Sequence, residues 1–122
     1  MTLVAVRKTG GTETVAERVR VADRFWSRAL GLLGRRRLGP GEGLLLRPCR
    51  AVHTLGMGYP IDVAFLDIGG TVVAAYRALA PNRRTAWHAG AVCALELPTG
   101  TLERAGLEEG QRLSWTGGGA DA

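Results

Sequence analysis

The stretch Arg50-Ala51-Val52-His53-Thr54-Leu55-Gly56-Met57-Gly58-Tyr59-Pro60-Ile61-Asp62-Val63-Ala64-Phe65-Leu66-Asp67-Ile68-Gly69-Gly70 decides how the chain is read. It reads as two strand-like segments, roughly Val52 to Met57 and Ile61 to Leu66, joined at Gly58-Tyr59-Pro60. The glycine turn after Asp67 leads into Thr71-Val72-Val73-Ala74-Ala75-Tyr76-Arg77, which predicts a hairpin. The chemistry-bearing side chains of the stretch are His53, Thr54, Met57, Tyr59 and Asp62. Strand alternation puts Asp62 on one face with Ala64 and Leu66, opposite Ile61, Val63 and Phe65. A carboxylate among such residues is costly unless paired. Asp62 is therefore expected either to accept bonds from backbone amides, Arg28 or Arg35, or to floor a pocket.

Working outward, Thr2 to Arg7 predicts a first strand and Lys8-Thr9-Gly10-Gly11-Thr12 a hairpin turn. Val15, Val19 and Val21 alternate with Ala16, Arg18 and Arg20, the period of a half-buried strand, with Glu17 interrupting its apolar face. Asp23 reads as a helix N-cap. Phe25, Trp26, Ala29, Leu30, Leu32 and Leu33 form one broad apolar helical face, and Gly34 followed by three arginines suits the helix end. Leu44-Leu45-Leu46 reads as a buried strand stopped by Pro48. Ala91 to Leu97 and Gln111 to Trp115 are two further strands, with Glu96 a lone charge in an apolar run. The expected fold is mainly β: a single small antiparallel β-barrel or β-sandwich. It carries one α-helix from about Asp23 to Gly34 and one short helical turn from about Thr101 to Gly106. Residues 1–116 form the domain and 117–122 a flexible tail.

Composition bounds the function. The 122 residues support one core, and 46% hydrophobic content suits a globular chain. No apolar run reaches the ~20 residues of a membrane span, and the N-terminus lacks a signal-peptide pattern, so a cytoplasmic location is expected. Cys49 and Cys93 are too few for a disulfide framework and are read as reduced. The net charge of +5 comes from fifteen arginines and Lys8 against eleven acids, with clusters at Arg35-Arg36-Arg37 and Arg83-Arg84. Arginine forks match phosphate oxygens, but a solvated arginine-rich surface explains the same count, and few aromatics accompany the clusters.

Two Cys and two His invite a zinc site. If Cys49 to His53 is extended, however, the two lie roughly 13 Å apart, too far for one ion. His88 and Cys93 have odd spacing and would face opposite sides of one strand. No metal and no cofactor is expected. Thiol catalysis would need a base beside Cys49 or Cys93, and the sequence shows residue types without the contact.

The chain resembles the family called domain of unknown function 192, also known as uncharacterised protein family 0127. The resemblance rests on Arg28 with Gly31-Leu32-Leu33-Gly34-Arg35, on Glu42-Gly43-Leu44-Leu45-Leu46, and on Pro60-Ile61-Asp62-Val63-Ala64-Phe65-Leu66-Asp67. Leu95-Glu96-Leu97-Pro98-Thr99-Gly100 and the Gly106 and Gly110 pair complete it. His53-Thr54-Leu55-Gly56-Met57 looks like one branch of it, standing where many relatives carry Phe-Trp-Met-x-Asn-Thr. The resemblance implies a small, mostly β domain with a helix after the first strands. It carries no activity.

The leading expectation is a non-catalytic module binding a small polar or anionic ligand or a protein partner. Its candidate site comprises His53, Thr54, Met57, Tyr59 and Asp62 with Arg28 and Arg35. The alternatives are a small enzyme using Asp62 and His53, and an arginine-rich nucleic-acid binder. A monomer or weak dimer is expected, with no membrane partner.

Overall fold

The structure is a computed structural model, and it describes residues 3–10, 14–22 and 37–116. The predicted helix from Asp23 to Gly34 and the tail 117–122 lie outside the described residues.

Seven strands form one curled sheet. They are β1 (Leu3–Lys8), β2 (Thr14–Ala22), β3 (Glu42–Leu46), β4 (Ile61–Leu66), β5 (Val72–Leu79), β6 (Cys93–Pro98) and β7 (Leu113–Thr116). The five-residue helix α1 (Thr101–Ala105) follows β6. Spatial order is β5-β4-β6-β3-β2-β1-β7. The mainly β expectation stands, with one refinement: β2 and β3 run parallel, Arg18 pairing with Glu42 and Ala22 with Leu46. A parallel pair needs a crossover connection, which the chain between Ala22 and Glu42 provides.

The two faces of the sheet explain the sequence pattern. One face gathers Val4, Val6, Val19, Val21, Leu45, Ala64, Leu66, Leu95, Leu97 and Leu113, with Leu102 and Leu107 of the α1 region. It draws on all seven strands and is the inside of the curl. The other gathers Leu44, Leu46, Ile61, Val63, Phe65, Ala74 and Ala94, beneath Val52, Met57 and Ala91 from the long connections. β4 lies between these two cores, so all six of its residues are buried. A strand covered on both faces reads as a continuous apolar run rather than an alternating one.

Three local features shape the curl. The register of β1 on β2 slips around Val6, and Val15 and Ala16 are both buried while Glu17 and Arg18 point to solvent. That bulge removes Glu17 from the apolar face, where strict alternation would put it. The β4–β5 hairpin is closed by Asp67, whose Oδ1 accepts bonds from the Gly69 and Thr71 amides, both at 2.9 Å. At the turn, Gly70 (φ +85°) accepts a bond from the Leu113 amide, and Thr71 forms a bridge with Arg112. The two edge strands thus meet at one end of the sheet.

The segment from Val52 to Met57 is not the expected strand. It makes a single bridge, His53 with Arg84, then turns at Leu55-Gly56, where Gly56 has φ +80°. A side chain takes over from the missing ladder: the Thr54 hydroxyl donates to the Ala80 carbonyl at 2.6 Å and accepts from the Arg83 amide at 2.9 Å. An internal hydroxyl that satisfies backbone groups in this way competes with regular strand pairing.

Candidate functional site

Among the described residues, the sequence candidates do not converge on one place. Asp62 is 1% exposed and lies on the inner face. Its Oδ1 accepts from the Ala78 amide at 2.8 Å, and its Oδ2 accepts from the amides of Gly100 at 3.1 Å and Leu102 at 3.0 Å. The reason is local. The register of β5 on β4 slips between Ile61/Leu79 and Val63/Tyr76, leaving Ala78 (φ +50°) out of the ladder. α1 begins at a glycine with no side chain to cap it. One carboxylate answers the orphan amides of both. This is the structural-acceptor role, filled by backbone amides.

Thr54 is buried and committed to the connection at Ala80 and Arg83, as described above. His53 is exposed, its Nδ1 accepting from the Leu55 amide at 3.3 Å. Met57 and Tyr59 pack on the outer face, across the sheet from Asp62. Arg28 and Arg35 lie outside the described residues.

The outer face instead carries its own polar group. Glu96 pairs across β6 with Leu44 and Val63, both residues of that face. It is 5% exposed, and among the described residues no hydrogen bond or ion pair meets its carboxyl. Burial raises its pKa to about 7. Tyr59 stands within electrostatic range. Its pKa is pushed up first by burial and then by the Glu96 charge, against the opposing pull of Arg37. The Arg37 guanidinium lies 5.0 Å from the Tyr59 ring centre. The Tyr59 hydroxyl is buried and has no hydrogen-bond partner among the described residues. Buried hydroxyls are normally paired, so an orphan calls for an explanation.

Two strands from Glu96, in the same register row through Val63, sits Tyr76. Its hydroxyl lies 2.7 Å from His88 Nε2, and both rings pack against Phe65, with His88 at 4.6 Å and Tyr76 at 5.9 Å between centroids. Strand spacing puts Tyr76 about 10 Å from Glu96. Sequence reasoning weighs His88 only alongside the cysteines, as a zinc ligand or a base for a thiol, and passes over Tyr76. No spacing rule links residues 76 and 88, because one lies in a strand and the other in a loop that folds back.

The thiols are occupied otherwise. Cys93 is buried on the inner face and its pKa is raised to about 11, chiefly by burial, so it stays a thiol at neutral pH. Cys49 is half-buried and donates to the Ala51 carbonyl at 3.1 Å. Among the described residues no group of three or more His, Cys, Asp and Glu is placed to hold a metal. No helix among them is long and apolar enough to cross a membrane. An open cavity of about 410 Å³ lies between the start of β2, residues 38–41 and residues 98–104. Its one described cation, Arg104, is tied to the wall through the Val15 carbonyl at 2.8 Å.

Comparison with solved structures places this fold. A protein of unknown function from Novosphingobium aromaticivorans superposes with a TM-score of 0.78 at 23% identity, over 93% of this chain and 84% of that one. A Sinorhizobium meliloti protein described as a candidate transcription regulator superposes with a TM-score of 0.75 at 24% identity, over 93% of this chain and 92% of that one. At such identities the likeness is one of fold. No curated protein matches the chain. The family model described as an uncharacterized ACR, DUF192, matches residues 5–115. With nearly the whole described sheet inside that match, the chain belongs to the DUF192 family.

Proposed function

We propose that this domain is a non-catalytic binding module that takes a small polar ligand at Tyr59 and Glu96 on the outer face of its sheet. The observation that carries the reading is the buried Tyr59 hydroxyl, without a hydrogen-bond partner among the described residues, beside the buried Glu96 carboxyl, which no described cation pairs. Leaving such groups unpaired costs about 1–3 kcal/mol each, more for a charged one, and a ligand presenting hydrogen-bond donors and an acceptor recovers it. Asp62 and Thr54 shape the frame in this reading, because their polar atoms are already bonded to the backbone.

The test is a thermal-shift screen of small amines, polyols and amino acids against the wild type, Tyr59→Phe and Glu96→Gln, supported by native mass spectrometry of gently purified protein. A compound that raises the wild-type melting temperature and leaves Tyr59→Phe unmoved supports the site. Equal responses from all three proteins across the screen remove it. A second reading, a small enzyme, is favoured by the Tyr76–His88 contact at 2.7 Å, a pair of titratable groups within proton-transfer distance. Turnover of a bound compound that His88→Gln abolishes, with binding retained, would decide for it.

A further inference from the structure

The loop stretches 50–55 and 80–92 share no residue with the Tyr59 and Glu96 group. The sequence holds no acid between Glu42 and Asp62, and none between Asp67 and Glu96. These stretches carry Arg50, His53, Arg77, Arg83, Arg84 and His88. Arg77, Arg83 and Arg84 are exposed, and no ion pair holds them among the described residues. The His53–Arg84 bridge sets those two side chains next to each other, with Cβ atoms about 5 Å apart.

Among these charges stands Trp87, 70% exposed. Its backbone is held on both sides. The Thr85 amide donates to the Val52 carbonyl at 3.0 Å, and the His88 amide donates to the Arg50 carbonyl at 2.8 Å. The His88 ring is anchored on Tyr76 at 2.7 Å. Arg50 Nε donates to the Ala89 carbonyl at 3.4 Å, which keeps its guanidinium beside the tryptophan loop. A large aromatic surface is thus presented to solvent on a pinned loop, with Arg50, Arg83 and Arg84 on the same loop stretches and no acid in either of them. An aromatic plane takes an unstacked base and arginines take the flanking phosphates, the combination by which single strands are bound without reading their sequence. A duplex offers Trp87 no unstacked base.

We infer that this face binds single-stranded nucleic acid, with a base stacked on Trp87 and phosphates at Arg50, Arg83 and Arg84. The test is fluorescence anisotropy of a labelled oligothymidylate titrated with the full chain over a range of salt. Proteins compared are the wild type, Trp87→Ala, Trp87→Phe and the double variant Arg83→Ser with Arg84→Ser. All three positions are exposed, and melting curves verify that each variant is folded. Trp87→Ala should weaken binding roughly tenfold while Trp87→Phe keeps most of it. The double arginine variant should flatten the slope of log K against log salt by about 1.4, two phosphate contacts' worth for a single strand. Wild-type affinity in Trp87→Ala would overturn the inference. So would equal affinity for a duplex, equal competition by polyglutamate, which marks an acidic protein partner or a general polyanion site, or absence of binding at low salt.

Discussion

Glu96 is the residue whose burial has a readable consequence in solution. Its ordinary carboxyl value lies near 4.5, and the folded value is about 7. The folded state therefore binds more protons than the unfolded state between those values, and stability falls as pH rises through the interval. Below about pH 4.5 the group is neutral in both states and carries no such penalty. Above about pH 7 the penalty is complete, on the order of 3 kcal/mol from the shift. Glu96→Gln removes the titration. It should be more stable than the wild type at pH 8 by up to about 3 kcal/mol and close to it near pH 5, measured by urea unfolding across pH. Parallel pH profiles would show that Glu96 is paired in solution. The same buried carboxyl sits where the binding proposal needs an acceptor.

At the scale of elements, two side chains do the work that regular pairing leaves undone. Asp62 joins the bulge of β5 to the start of α1, which also ends on its own sequence: Gly106 (φ +62°) and Leu107 bond back to Glu103 and Leu102 in a Schellman closure. Asp62→Ala strands three amides around Ala78, Gly100 and Leu102 and should cost about 3 kcal/mol or more, with Asp62→Asn intermediate because an amide supplies one acceptor oxygen. Thermal and urea melts read both. Thr54→Val removes the bonds to Ala80 and Arg83 and should cost about 2 kcal/mol, with faster hydrogen exchange at the Arg83 amide than at the amides of β4. Loss confined to the connection would show that the 80–92 loop opens as a unit apart from the sheet.

Across the whole molecule, closure of the curl depends on a backbone contact that no side chain can replace. A Cβ at Gly70 would lie 2.6 Å from the Leu113 carbonyl oxygen, and φ there is +85°. Gly70→Ala must push β7 away from the β4–β5 turn and strain its own backbone. We expect it to destabilise the domain by about 2 kcal/mol or more in urea unfolding. Ala at Gly10, where a Cβ meets nothing within 4 Å, controls for the backbone strain without the clash. Arg112 supports the same junction through the Gly69 carbonyl at 2.9 Å, so loss of the Gly70 contact spreads to the Thr71–Arg112 bridge.

Local pattern determined a great deal of this protein. The apolar run of β4, the Asp67-to-Gly70 turn, the burial of Leu44-Leu45-Leu46 and the Thr101–Gly106 helical turn follow from side-chain period and turn chemistry, which act over a few residues. Asp62 was legible as a buried carboxylate needing donors for the same reason. The tertiary structure decided the rest. It supplied the donors to Asp62 from residues sixteen to forty positions away. It made 52–57 a loop by giving Thr54 partners near residue 80, and set β3 parallel to β2. It brought Tyr76 to His88, left the Tyr59 hydroxyl without a hydrogen bond among the described residues, and left Trp87 facing solvent. Those outcomes depend on which segments meet across the sheet, and a period of two or of 3.6 residues carries no record of that.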